Sequence, residues 1–363
     1  MKGRLPAYLE AALFILLTAT VAWRIAVDRS SGEDVDIEAP AESAADLLKR
    51  ADNAYESMDL AGAAELYYDV LKLDPENLRS RIQLARIFEK NNWNANSLQL
   101  LDEVLERDPE HLEARLIFAK ILRDEGRSKI AALVYESSLR VNPDNAEALY
   151  YLGTAYQADS KFQEALRSYR RAIESDKDLK PPSLEDAPFG IQAHLQIGRV
   201  YRQAARLHLR QAADEERNGN AEDAAKERML SKERSDRALK ELREAHAKVV
   251  KAGLEEYSDV MRELTSALVQ KALEMRRNRE PETEILRVYQ EVTQIDPNDI
   301  DAWLEAGRIL TLNAKTLSDY EAAHRHFEAA HKLSPNDSDA QVGMTNAQQE
   351  IDRLKGEASP AQE

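Results

Sequence analysis

Three histidines near the C-terminal end, His324, His326 and His331, are the residues whose chemistry first suggests a site. His324 and His331 are seven apart, so on a helix they share a face, while His326 does not join them. Two ligands on one helix fall short of a metal site, and nothing nearby supplies the rest, so ordinary surface histidines are expected. The chain has no cysteine, which excludes disulfides, thiolate metal ligands and thiol nucleophiles. It contains no Gly-rich phosphate loop, zinc-protease helix motif or nucleophile elbow. Asn336-Asp337-Ser338 fits a glycosylation sequon, a pattern short enough to arise by chance. The expectation is a non-enzymatic protein with no cofactor and no bound metal. With 50 basic and 66 acidic residues, the net charge of −16 argues against nucleic acid as the main partner.

Chemistry therefore yields to architecture. Residues 146–176 read as two amphipathic helices joined by a polar turn. Leu149, Leu152, Gly153 and Tyr156 recur at three- and four-residue steps, as do Ala165, Tyr169 and Ala172. Gly153 and Ala165 are small where two antiparallel helices approach, and the tyrosine rings fill the remaining space. The unit repeats. Ala51, Ala85, Ala119 and Gly153 are each 34 apart, as are Ala63, Ser97, Ala131 and Ala165. Tyr67, Leu101, Tyr135 and Tyr169 keep the same step. So do Pro75, Pro109 and Pro143, each ending a second helix because proline cannot continue one.

Four columns in one register resemble the tetratricopeptide repeat, a helix–turn–helix unit of about 34 residues. The resemblance covers most of the chain after residue 43 and implies an all-α fold: a right-handed α-solenoid of about seven units. It implies protein or peptide partners, bound where the first helix of each unit lines a concave groove. The groove positions are Arg79, Ile82, Arg86 and Lys90 in repeat two, and Leu116, Lys120 and Arg123 in repeat three. Tyr150, Thr154 and Gln157 follow in repeat four, and Leu195, Arg199 and Arg202 in repeat five. The column Arg86, Lys120, Thr154, Arg199 is mainly basic and suits an acidic peptide, with Tyr150 offering a flat apolar contact. The competing reading is that Glu89, Glu113, Asp124 and Glu147 neutralise these residues within the groove wall. Related arrays that clamp the C-terminal carboxylate of heat-shock chaperones carry Lys, Asn and Arg at positions that here hold Leu48, Asp52, Gln83, Glu113 and Ile117. That sub-type is not expected.

Read in order, residues 1–27 form an apolar segment with basic flanks, expected as a transmembrane anchor, with a cleaved signal sequence or a buried helix as alternatives. The flanking charges lean toward a cytoplasmic N-terminus, which would place the repeats on the periplasmic or extracytoplasmic side. Residues 28–43 read as a flexible linker. Repeats one to four span 44–179, and 180–190 is a proline-containing loop. Repeat five, 191–253, has both helices overlong, giving a helical hairpin over about 206–237 that Leu207, Leu209, Met229 and Leu230 are expected to seal. Repeat six (254–299), repeat seven (300–337), a capping helix (338–356) and a disordered tail (357–363) complete the chain. The function expected is a membrane-anchored scaffold acting in cell-envelope assembly, secretion or export. The alternative is a permanent subunit of a larger membrane complex, docked through the hairpin.

Overall fold

The structure, a computed structural model, describes residues 42–176, 187–254 and 258–357. The expected anchor, most of the linker, most of the proline loop and nearly all of the tail lie outside these residues. No described helix is long and apolar enough to cross a membrane. The described residues form fifteen α-helices and no strands. They fall into two compact units, one of the described residues up to 143 with 154–160 and the other of 144–153 with those from 161 onward.

The first unit contains α1 (Ala44–Glu56), α2 (Leu60–Leu73), α3 (Leu78–Lys90), α4 (Asn94–Arg107), α5 (Leu112–Asp124) and α6 (Ser128–Val141). Its helices pack as consecutive antiparallel pairs, each pair also touching the next. The core is the repeat columns. Ala51, Ala85 and Ala119 are fully buried, as are Ala63 and Ala131, and so are Tyr67, Leu101 and Tyr135. Ser97 takes its place in an alanine column because its buried hydroxyl donates to Ala85 O at 2.8 Å, so no polar atom is stranded. Tyr67 reaches out of the core to donate to Asp52 Oδ1 at 2.8 Å. Burial, then that carboxylate, hold its phenol well above the ordinary range.

The turn inside each pair also keeps the register. Met58, Asn92, Gly126 and Ser160, each 34 apart, all have positive φ, between 60° and 80°. Only Gly126 adopts this without steric cost. Between pairs, Asp74, Asp108 or Asn142 ends one helix ahead of proline and a polar residue caps the next. Asn77 Oδ1 accepts from Ser80 N at 3.0 Å, and Asn145 Oδ1 from Ala148 N at 2.7 Å.

Helix α7 (Ala146–Ala158) contributes residues to both units. The second unit continues with α8 (Phe162–Ser175), α9 (Phe189–Arg217), α10 (Ala221–Ala252), α11 (Ser258–Arg277), α12 (Glu282–Ile295), α13 (Ile300–Asn313), α14 (Leu317–Leu333) and α15 (Ser338–Glu357). The linker chemistry recurs here. Asp299 Oδ1 caps α13 by accepting from Ala302 N at 2.9 Å, and Asp337 Oδ1 accepts from Ala340 N at the same distance. Arg279, in the turn between α11 and α12, has φ 58°, like the turn residues of the first unit. Pro281 precedes α12 as its cap, with ψ 131° keeping it outside the helix.

The long pair α9 and α10, 29 and 32 residues, pack along one another on either side of a turn at Gly219, where φ is +82°. Of the four residues expected to seal the arms, Leu209 and Leu230 are half-buried and the other two are exposed. Leu207 is 54% exposed and Met229 75%. The buried seam between the arms is a run of small residues at seven-residue steps: Gly198, Ala205 and Ala212 on α9, and Ala224, Ser231, Ala238 and Ala245 on α10. Ser231 Oγ donates to Ala205 O at 2.9 Å across the seam. Small side chains let the two backbones approach closely, and Leu207 and Met229 turn outward.

Candidate functional site

The basic residues assigned to the groove are placed on the first helices of their pairs, and most are already partnered. Arg86 Nε on α3 contacts Glu113 Oε1 on α5 at 2.9 Å, and Lys120 Nζ on α5 contacts Glu89 Oε1 on α3 at 2.9 Å. Arg79 meets Asp52 on α1 at 2.8 Å. Arg123 contacts its neighbour Asp124 at 2.7 Å and donates to Thr154 Oγ1 at 3.2 Å. Lys90 lies over the Tyr55 ring, 5.0 Å from its centroid. The column is thus a ladder lacing each first helix to the next, with Glu89, Glu113 and Asp124 acting as the neutralising residues. Each half-exposed rung contributes about 0.2–1 kcal/mol.

Tyr150 is not an open aromatic platform. It is 7% exposed, with ring centroids of Tyr169 and Phe189 at 5.9 and 5.6 Å. A tyrosine at this position fills the space between helices rather than facing solvent.

Arg199 and Arg202, in the second unit, converge on one carboxylate. Arg199 Nε donates to Glu263 Oε1 at 2.9 Å, and Arg202 Nη1 pairs with Glu263 Oε2. Arg202 Nη2 also donates to Ser266 Oγ at 2.8 Å. Arg202 is only 9% exposed, and its buried Nε has no hydrogen-bond partner. Burial pulls its pKa below the usual guanidinium value; Glu263 opposes this, and the charges of Arg206 and Arg199 add to the lowering.

These two arginines sit in the wall of a cavity of about 1140 Å³ that lies wholly within the second unit. Arg199, Arg202, Arg206 and Arg210 come from α9, at helical steps that keep them on one face. Arg234 and Arg237 come from α10, Arg170 from α8 and Arg262 from α11. Glu263 is the single carboxylate residue among those described in the lining. Arg170 donates to Tyr201 Oη at 2.9 Å, and Arg237 and Arg262 pair with Glu233 and Asp259 on their own helices. Arg206, Arg210 and Arg234 have no partner among the described residues. Phe162 and Leu207 add exposed apolar surface to the lining.

A helical hairpin over residues 206–237 does not by itself imply this cavity. Its sequence signal was the arginine spacing 199, 202, 206, 210, three or four residues apart over three turns. The histidines assemble no site: among the described residues no three potential metal ligands converge. His326 Nδ1 instead lies 2.8 Å from Ala322 O, its ring edge-on to Trp303 with centroids 5.3 Å apart.

Comparison with known families agrees with the register of the helix pairs. The tetratricopeptide repeat model matches residues 48–111 and 116–180. This part of the chain carries tetratricopeptide repeats. Helices α9–α15 lie outside the matched residues. No curated protein matches the chain. Among solved structures, a tetratricopeptide repeat protein from Parabacteroides merdae is 12% identical, with 84% of this chain and 98% of that one covered and a TM-score of 0.43. A thermophilic tetratricopeptide repeat protein of Thermus thermophilus is 18% identical, covering 62% of this chain and 100% of its own, also with a TM-score of 0.43. MamA from Desulfovibrio magneticus is 16% identical over 55% of this chain and 98% of its own, with a TM-score of 0.38. Likenesses this distant carry no argument about function.

Proposed function

We propose that the chain is a scaffold that holds protein partners on stacked helix pairs, tethered to a membrane through residues 1–27. The observation that carries the reading is the ladder Arg79–Asp52, Arg86–Glu113, Lys120–Glu89. It fixes one face of successive first helices at the repeat spacing, so side chains on that face are presented in a preformed array, which lowers the ordering cost of binding. The recurrent caps at Asp299 and Asp337 support continuing the same helix-pair unit through α14, for about seven units in all. The proposed groove residues are Arg79, Arg86, Lys90, Lys120, Arg123 and Thr154 in the first unit and, separately, Arg199 and Arg202 in the second; Arg79 and Lys90 are exposed, and Tyr150, buried between helices, drops out.

The test is partner recovery with Arg86→Ala, Lys120→Ala and Arg199→Ala combined. Alanine is preferable to charge reversal, because a glutamate at 86 or 120 would face Glu113 or Glu89 and destabilise the array by itself. Reduced recovery from a variant that stays folded, its melt lowered by no more than the three lost ion pairs account for, supports the groove; full recovery removes it. Orientation is tested with Ser160→Cys, an exposed turn position in a chain without native cysteine. Labelling by an impermeant maleimide in intact cells supports the periplasmic or extracytoplasmic placement and envelope assembly, secretion or export; labelling only after lysis reverses it.

Exposed Leu207 and Met229 favour a second reading, a permanent subunit docked through the α9–α10 arms. Replacing residues 211–236 by a short glycine-rich turn separates the two. Loss of a stable complex supports the subunit reading, and its retention supports the groove.

A further inference from the structure

We infer that the arginine-lined cavity at the base of the α9–α10 arms is the seat of an extended acidic peptide segment from a partner protein, gripped by Arg206, Arg210 and Arg234. The inference rests on the proposed scaffold reading, whose second-unit residues Arg199 and Arg202 line the same cavity, but not on the ladder of the first unit.

Eight arginines and one carboxylate line the cavity of a chain whose net charge is −16. Random placement in an acidic protein does not gather cations this way, and the local structure opposes it. Arg202, Arg206 and Arg210 stand at four-residue steps on one helix, where like charges repel. The cost falls partly on Arg202, which is nine-tenths buried with an unpartnered Nε. Glu263 offsets only the inner end, through Arg199 and Arg202. Toward the arms, Arg206, Arg210 and Arg234 face the cavity with no described partner. An anion there would satisfy three planar donors and relieve the repulsion along α9.

Size and lining favour a peptide. A volume of about 1140 Å³ is above the range of about 300–1,000 Å³ usual for small-ligand pockets. From Arg199 to Arg210, α9 rises by ~17 Å, which an extended chain covers in about five residues. Phe162 and Leu207 border the same space and suit an apolar residue between acidic ones. A phosphate alone or a nucleotide would leave most of the volume and both apolar side chains unused.

The experiment uses the full chain in detergent and a fluorescein-labelled peptide of about eight residues, Asp and Glu around a central Leu. Fluorescence anisotropy is expected to show saturable, salt-sensitive binding, with a rise in melting temperature. The same peptide with Asn and Gln for the acids should not bind. Arg206→Ala/Arg210→Ala/Arg234→Ala should weaken binding about 30-fold, and the corresponding lysine triple variant less than about five-fold. The melt of the unliganded variants should not fall, since no described partner is lost. Absence of binding to the parent chain, equal affinity in the alanine variant, or displacement of the peptide by a single-stranded oligonucleotide at a lower concentration than by unlabelled peptide would each overturn the assignment.

Discussion

Gly198 on α9 lies flush against Leu242 on α10: a Cβ at residue 198 would stand 2.7 Å from Leu242 Cγ. The contact sets the spacing of the two longest helices at the point where the small-residue seam meets the apolar core. Gly198→Ala should therefore destabilise the protein by about 1 kcal/mol, since overpacking of about 1–3 kcal/mol outweighs a helix-propensity gain of about 1 kcal/mol. Chemical denaturation reads the difference. A variant more stable than the parent would show that the seam has slack.

The same seam makes opposite expectations for small and large residues on the arms. Ala212 is 1% exposed, and Ala212→Leu should separate the arms at a cost of about 1–3 kcal/mol. Met229→Gln, at a position 75% exposed, should change stability by less than about 0.5 kcal/mol. Proteolysis of the arms and thermal melts compare the two. If Met229→Gln is the more damaging change, leucine-type packing holds the arms after all.

Glu263 anchors Arg199 and Arg202 together, and its removal strands a nine-tenths-buried guanidinium. Glu263→Ala is expected to cost about 3 kcal/mol. Glu113→Ala, which frees a half-exposed Arg86, should cost no more than about 1 kcal/mol. Urea midpoints measure both, and equal losses would contradict the distinction between the two pairs.

Burial holds the His326 imidazole below its ordinary pKa, while its bond to Ala322 O opposes the shift and the Arg325 charge adds to it. A folded-state pKa below the unfolded one gives stability that is complete above the unfolded value near 6.5 and is lost as pH falls through the folded value. Melting temperature should therefore drop from pH 7.5 to pH 5, and His326→Phe, which keeps a ring against Trp303, should reduce that drop. An identical pH profile in the variant would remove His326 as its source.

Much of the fold was legible because four columns repeat at one period. Tyr67, Leu101, Tyr135 and Tyr169 are fully buried, and Ala51, Ala85 and Ala119 with them. The fate of the groove cations was legible only as an open choice. Its signal is arithmetic: Arg79–Asp52 and Arg86–Glu113 are 27 apart, Lys120–Glu89 and Arg123–Thr154 are 31 apart. These are one repeat less two turns or one, the offsets at which first helices of adjacent pairs meet. The seal of the arms was hidden because Ala205, Ala212 and Ala224 are also ordinary helix formers, indistinguishable from filler unless the seven-residue step is counted. The arginine cavity draws on four helices, and sequence alone does not bring α8 and α11 to the same face of α9.

The central claim is that this chain holds protein partners on a defined face. The most direct measurement is in-cell photo-cross-linking from a photoreactive amino acid placed singly at Lys90, Leu207 or Leu133. Lys90 belongs to the first-helix face, Leu207 borders the arginine cavity, and Leu133, 64% exposed on α6, belongs to neither. Discrete protein adducts from position 90 or 207, and none from 133, are the expected result. No protein adduct from either of the first two, or the same adducts from all three, would contradict the account.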